Sequence, residues 1–212
     1  REKWVQEIPD YKTLAQLPKL ELLSHRSGLG FNSRALRLQN CAQEVVEQHK
    51  GQLPKDRAQL LELPWIWPYT ASAICAFAWN LPEPVIDTNI RRVLIFLLKL
   101  DEWISLQELE KEAKKLIPEW RSRDRHNALM DYGATYLTAR KTKIKSLWKQ
   151  SKFEGSDREV RGWILKQLTK KKWKLAIALI KQEFPHKEVE KIMHDMQNEQ
   201  LIKWEEKHVW IE

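Results

Sequence analysis

One carboxylate and the turn that precedes it hold the clearest chemistry in this chain. Residues 63–89 read LPWIWPYTASAICAFAWNLPEPVIDTN. One helix ends at Leu63, a tight hairpin occupies Pro64 to Pro68, and a second helix runs from about Tyr69 to Asn80. A proline-bounded loop, Leu81 to Pro84, then delivers Asp87 to the start of a third helix. Two short helices joined by a tight turn can present backbone N–H groups to a nucleic-acid phosphate. A fixed acid just downstream can act on whatever the turn holds. An Asp followed by Thr88 and Asn89 ahead of a helix is also an ordinary N-cap, so residue types alone leave Asp87 with two readings.

The bulk numbers exclude several classes. A chain of 212 residues with 42% hydrophobic and 31% charged residues is an ordinary globular protein of one domain or two modest ones. No apolar run reaches the length of a membrane span and no secretory signal is visible, so the expected setting is cytoplasmic, without membrane contact. The net charge of +8 suits a polyanionic partner. Residues 1–151 carry 24 basic and 18 acidic groups, residues 152–212 carry 13 and 11, so the basic excess goes with the hairpin. Only Cys41 and Cys75 occur, which implies no disulfide framework. The six histidines show no metal-ligand spacing.

The elements that must position the hairpin and Asp87 are helical. Segments Arg1–Ile8, Tyr11–Leu17 and Lys19–His25 read as short helices, and Gly28 to Gly30 breaks the last. Phe31 to Lys50 has apolar residues at Ala35, Leu38, Ala42, Val45 and Val46, an amphipathic spacing, and Gly51 ends it. Asp56 to Leu63 is the first hairpin helix, with Asp56 as N-cap. Ile90–Leu100, Ser105–Ile117 and Asp124–Arg140 complete a bundle. Residues 141–155 form a basic linker. Helices at about Ser156–Lys170, Lys174–Gln182 and Lys187–Glu199 then precede an alternating segment, Leu201–Glu212, that predicts a β-hairpin. The expected fold is therefore mostly α: a helical bundle with a helix-hairpin-helix over residues 1–140, then a small winged-helix-like domain over 156–212. The Lys170–Lys174 run reads as a solvated helix junction or a phosphate-facing loop of that domain.

These motifs resemble the helix-hairpin-helix/GPD superfamily of DNA glycosylases. Its signature runs L-P-G-hydrophobic-G-x-x-T-A and then, past a Pro-containing loop, V-hydrophobic-D-T-N-hydrophobic-x-R-V. The matches are Leu63, Pro64, Ile66, Thr70 and Ala71, then Val85, Asp87, Thr88, Asn89, Arg92 and Val93. Gly28 to Ala35 is similar to the G-L-G-Y-x-x-R-A element of the adenine-excising mismatch branch. Met130-Asp131-Tyr132-Gly133-Ala134 is similar to its M-D/E-x-G-A helix. The resemblance spans roughly residues 1–140.

The resemblance implies a base-excision enzyme acting on double-stranded DNA as a nucleoid-associated monomer. Asp87 lies 18 residues beyond Tyr69, the family's separation between its two active-site positions. Its carboxylate would stabilise the oxocarbenium-like sugar or activate water. Tyr69 fills the position that holds lysine in the bifunctional lyases. A phenol cannot form a Schiff base, so a monofunctional route follows. Tyrosine there also resembles the thymine-excising branch, and plain helix packing is the alternative. Phe31 would wedge into the base stack, or else be core. DNA contacts would come from Phe31, Arg34, Trp65, Ile66, Trp67, Thr70, Asn89 and Arg91.

Three departures qualify this reading. The two hairpin glycines are Trp65 and Trp67, although glycine serves such a turn by tolerating positive φ. A rebuilt hairpin, engineering, and UGA codons read as glycine at the source all account for them, and 11 Trp against 6 Gly is the reverse of usual abundance. The family's helix with a catalytic Glu, which protonates the leaving base, would precede Arg1 and is missing from this sequence. The first domain is therefore expected to be N-terminally truncated, with much of the acid catalysis gone. No cysteine follows Cys75, so the four thiolates of an iron–sulfur cluster are lacking; no cofactor is expected, with room for a monovalent cation at the hairpin. A non-catalytic DNA-binding protein of the same fold is the rival reading.

Overall fold

The fold was analysed from a computed structural model that describes residues 2–25, 32–147, 151–171 and 174–212. Phe31, with Gly28 and Gly30, lies outside the described residues. The chain divides into two compact units, one formed by Arg1–Gln52 with Ser151–Glu212 and the other by Leu53–Gln150.

The first unit combines the N-terminal helices with the C-terminal module. Helices α1 (Glu2–Glu7), α2 (Tyr11–Gln16), α3 (Lys19–His25) and α4 (Asn32–Gln48) come from the beginning of the chain. Asp10 caps α2 by accepting from the Thr13 N–H at 2.7 Å. The α4 stripe is rotated from its expected phase. Leu38 faces solvent, while Gln39 is buried and donates from Nε2 to the carbonyl oxygens of Leu14 at 3.0 Å and Leu17 at 2.7 Å. A helix end leaves its last carbonyls without α-helical partners; at the end of α2 the amide bonds the Leu17 carbonyl and shares the Leu14 carbonyl with the Leu17 N–H.

The C-terminal module follows the order α11 (Asp157–Lys171), β1 (Lys174–Ala176), α12 (Ile177–Glu183), α13 (Val189–Asn198), β2 (Lys203–Glu205), β3 (His208–Trp210). The expected β-hairpin is present as β2–β3, and the sheet order is β1-β3-β2, all antiparallel. This is the winged-helix arrangement. The first turn of the expected second helix is instead the strand β1, because Lys174 to Ala176 pair with β3. One apolar core joins both parts of the unit: Leu14, Leu22, Leu23 and Ala35 pack in the same cluster as Val160, Ile164, Ile180, Met193, Met196 and Val209. Fully burying one such side chain is worth about 1.5–3 kcal/mol, so the N-terminal helices depend on this shared core.

The second unit holds α5 (Arg57–Glu62), α6 (Pro68–Trp79), α7 (Thr88–Leu98), α8 (Leu106–Lys115), α9 (Ser122–Thr135) and α10 (Ala139–Thr142). Asp56 caps α5 as expected. Ser105 and Glu108 form a reciprocal capping box on α8. The helix expected to run to Arg140 stops at Thr135, and Thr138 caps the separate turn of α10. Helix α7 is central, with Ile90 and Leu94 packed on Leu109 and Ala113 of α8. Among the described residues, no helix is long and apolar enough to cross a membrane.

Candidate nucleic-acid site

The hairpin is a turn with a defined backbone. Leu63 ends α5 in extended conformation, and the Ile66 N–H donates to the Leu63 carbonyl oxygen at 3.3 Å. Pro64 sits second in this four-residue turn and Trp65 third, at φ +67°. Trp67 is the N-cap of α6 at φ −92°, and Pro68 opens the helix, its fixed φ suited to that place. The first N–H groups of a helix have no carbonyl partner within it, so the amides at Tyr69 and Thr70 lie at the positive end of the α6 dipole. Trp65 and Trp67 are exposed beside them, and Ile66 and Thr70 are half-buried.

Helix α7 begins at the carboxylate. Asp87 Oδ1 accepts the Ile90 N–H at 2.6 Å, while Oδ2 faces the Asn89 Nδ2 at 3.5 Å. One oxygen is thus the helix cap, and the other is held only by a long contact. The cap and a chemical role are therefore compatible in one side chain. Tyr69, 49% exposed on the first turn of α6, lies within the field of this group. Burial pushes its phenol above the ordinary tyrosine range, and the Asp87 carboxylate pushes it further.

Three residues given no role from the sequence anchor the chain on either side of Asp87, at Val85 and Asn89. His126, fully buried on α9, accepts the Val85 N–H at Nε2 over 3.1 Å. Its Nδ1 lies 2.7 Å from the Ser122 carbonyl oxygen and so donates to it. Acceptance at Nε2 requires the neutral ring, and burial lowers its pKa from the ordinary histidine value. Arg92 donates from Nη2 to Asn89 Oδ1 at 2.7 Å and to the Gly133 carbonyl at 2.6 Å, and from Nε to the Leu137 carbonyl. Gly133 lets α9 approach Asn89 closely. Arg92 and Gly133 sit inside the quoted motifs, which was the available signal; His126 had none beyond its place in α9.

Arg91 departs from its expected place at the phosphate. It is 7% exposed, and its guanidinium donates to the Lys145 carbonyl at 3.4 Å and to the Glu102 carbonyl. Helix α7 is enclosed over this turn, so the side chain ties the helix to two later loops. Arg34 is exposed on the first turn of α4, in the first unit.

The four-thiolate cluster of many relatives does not fit these residues. Cys41 is buried in α4 of one unit and Cys75 in α6 of the other. Burial pushes both thiols up, away from the thiolate that a metal needs. Thr138 and Lys143 stand in the region where the resemblance places ligands, and they are an N-cap and a left-handed C-cap. Among the described residues, no group of three or more His, Cys, Asp or Glu could hold a metal ion.

The helical hairpin and the capped carboxylate of Asp87 both lie in the stretch of chain that a family profile matches. The sequence profile of the HhH-GPD superfamily of base excision DNA repair proteins matches residues 1–119, and the chain belongs to that superfamily. It is similar to the adenine DNA glycosylase of Mycolicibacterium smegmatis, 31% identical over 182 residues, covering 76% of this chain and 62% of the relative. It is also similar to the adenine DNA glycosylase of Mus musculus, 35% identical over 141 residues, covering 64% of this chain and 27% of the relative. The chain thus spans less than two thirds of the length of either. Among solved structures it resembles a thermostable thymine-DNA glycosylase, with TM-score 0.62, 26% identity and 66% of each chain covered. Endonuclease III bound to DNA shares the fold, with TM-score 0.57, 24% identity and 65% of each chain covered.

Proposed function

We propose that the protein is a monofunctional DNA N-glycosylase that hydrolyses the bond between a mismatched base and its deoxyribose in duplex DNA. The adenine DNA glycosylases among its relatives support adenine, opposite guanine or oxidised guanine, as the base released. What supports the reading is the placement of Tyr69 and Asp87 at the starts of two helices, with the Asp87 charge acting on the Tyr69 phenol. Residues 18 apart in sequence come into one another's field, one on the first turn of α6 and one at the head of α7.

In this reading the amides at the start of α6 hold a backbone phosphate, with Trp65, Ile66, Trp67 and Thr70 around it. Phe31 wedges the base stack, and Arg34 supplies charge to the backbone. The target nucleotide is extruded toward Asp87. As the glycosidic bond breaks, the electron pair leaves with the base and positive charge develops on the sugar. The Asp87 carboxylate stabilises that charge, water adds to the anomeric carbon, and its proton is lost to the carboxylate or to solvent. Tyr69 stays protonated and donates a hydrogen bond. The acid that protonates the base is not one of the residues assigned here. The residue types around α10 support chemistry independent of an iron–sulfur cluster. No observation favours a non-catalytic role.

The test uses Asp87→Asn. Asparagine is as good an N-cap as aspartate, so helix α7 and binding to mismatched duplex should survive while base release falls by about 100-fold or more. Base release near the parental rate would return Asp87 to capping alone.

A further inference from the structure

Two turns of the second unit share one backbone and one anomaly. In Leu63–Pro64–Trp65–Ile66, the Ile66 N–H donates to the Leu63 carbonyl at 3.3 Å, and Trp65 sits third at φ +67°. In Pro118–Glu119–Trp120–Arg121, the Arg121 N–H donates to the Pro118 carbonyl at 3.4 Å, and Trp120 sits third at φ +64°. Positive φ at the third position, closed by the bond from fourth residue to first, is the type II turn. That place is built for glycine, because a Cβ there collides with the neighbouring carbonyl. The indole gains nothing in return at position 120, where it is 84% exposed. Asn80, Lys99 and Lys143, which also have positive φ, are helix C-caps, where a left-handed residue is ordinary. Trp67, at φ −92°, makes no such demand.

Both turns hold the helix that carries Tyr69. The first leads directly into α6. The second is tied to its far end, because Asn80, the C-cap of α6, donates from Nδ2 to the Trp120 carbonyl and accepts the Arg123 N–H at Oδ1 over 2.8 Å. Position 120 thereby sets where α6 ends against the start of α9.

We infer that positions 65 and 120 are glycine positions of the natural polypeptide, written as tryptophan through a codon read differently at the source, and that residue 120 positions α6 from its C-terminal end. This inference does not rest on the glycosylase reading. Composition and the hairpin motif point only to 65 and 67; the backbone adds 120, where no motif calls for glycine.

The experiment compares the thermal midpoints of single variants of the present chain. Trp65→Gly and Trp120→Gly should each raise Tm by about 2–4 °C. Trp120→Ala, which keeps the Cβ, should leave it unchanged, and Trp103→Gly, at an exposed tryptophan outside the positive-φ set, should lower it or leave it unchanged. A Trp120→Ala gain equal to that of Trp120→Gly, or no gain with Gly, overturns the conformational argument. Peptide mass spectrometry of the protein isolated from its source should read glycine at 65 and 120. Tryptophan at either overturns the assignment there, whatever the variants do.

Discussion

A Cβ built on Gly133 would lie 2.9 Å from both the Cβ and the carbonyl oxygen of Asn89, with Val93 Cγ2 at 3.0 Å. Backbone and a β-carbon cannot rotate away, so α7 and α9 cross at this contact only because residue 133 has no side chain. Asn89 is also the residue whose amide faces Asp87. Gly133→Ala is expected to destabilise the protein by about 1–3 kcal/mol, and to slow base release more than it weakens DNA binding. Chemical denaturation and single-turnover kinetics measure the two effects. Wild-type stability in this variant would mean that the helices separate at no cost.

His126 makes stability depend on pH. Its folded pKa is lowered, chiefly by burial, so the unfolded chain binds this proton more readily than the folded one. The stabilising contribution is complete above about pH 6.5, the ordinary histidine value, and is lost as pH falls through the lowered value. Urea midpoints should drop on acidification below 6.5. His126→Gln should be less stable at neutral pH but lose less on acidification, and an identical acid slope in the two proteins would remove His126 from the explanation.

In the proposed function, Tyr69 sets the reaction type. No amine stands at its position, so product DNA should carry intact abasic sites, cut only after alkali or heat, and borohydride should trap no protein–DNA adduct. Tyr69→Lys should introduce measurable trapping, because an amine would then sit in the field of Asp87. Strong trapping by the parent protein would move the nucleophile elsewhere.

The shared core of the first unit predicts the result of removing residues 151–212. Helices α2 to α4 would lose the apolar surfaces of α11 and α13. Amide exchange in those helices should rise toward the unprotected rate, while α6, α7 and α9 keep their protection. Retained protection in α2 to α4 would show that the N-terminal helices fold without the winged-helix module.

Local punctuation carried much of this architecture. Asp56 and Asp87 are N-caps, Pro68 opens α6 and Asn80 closes it, because caps and turn residues act on neighbours within four positions. The hairpin, the N-cap of α7 and the alternating C-terminal segment were legible for that reason, while the pairing of Tyr69 with Asp87 comes from the family motif and stands as a proposal. Tertiary structure decided the rest. Whether Leu38 or Gln39 faces inward depends on the Leu14 and Leu17 carbonyls that the end of α2 presents to α4. Lys174 to Ala176 became a strand because a hairpin some thirty residues later presents an edge to it. Arg91 was drawn into the interior by the carbonyls of Glu102 and Lys145. The clamp of Arg92, His126 and Gly133 joins residues about forty positions apart. A spacing pattern reports which residues share a face, but not which distant backbone will meet that face.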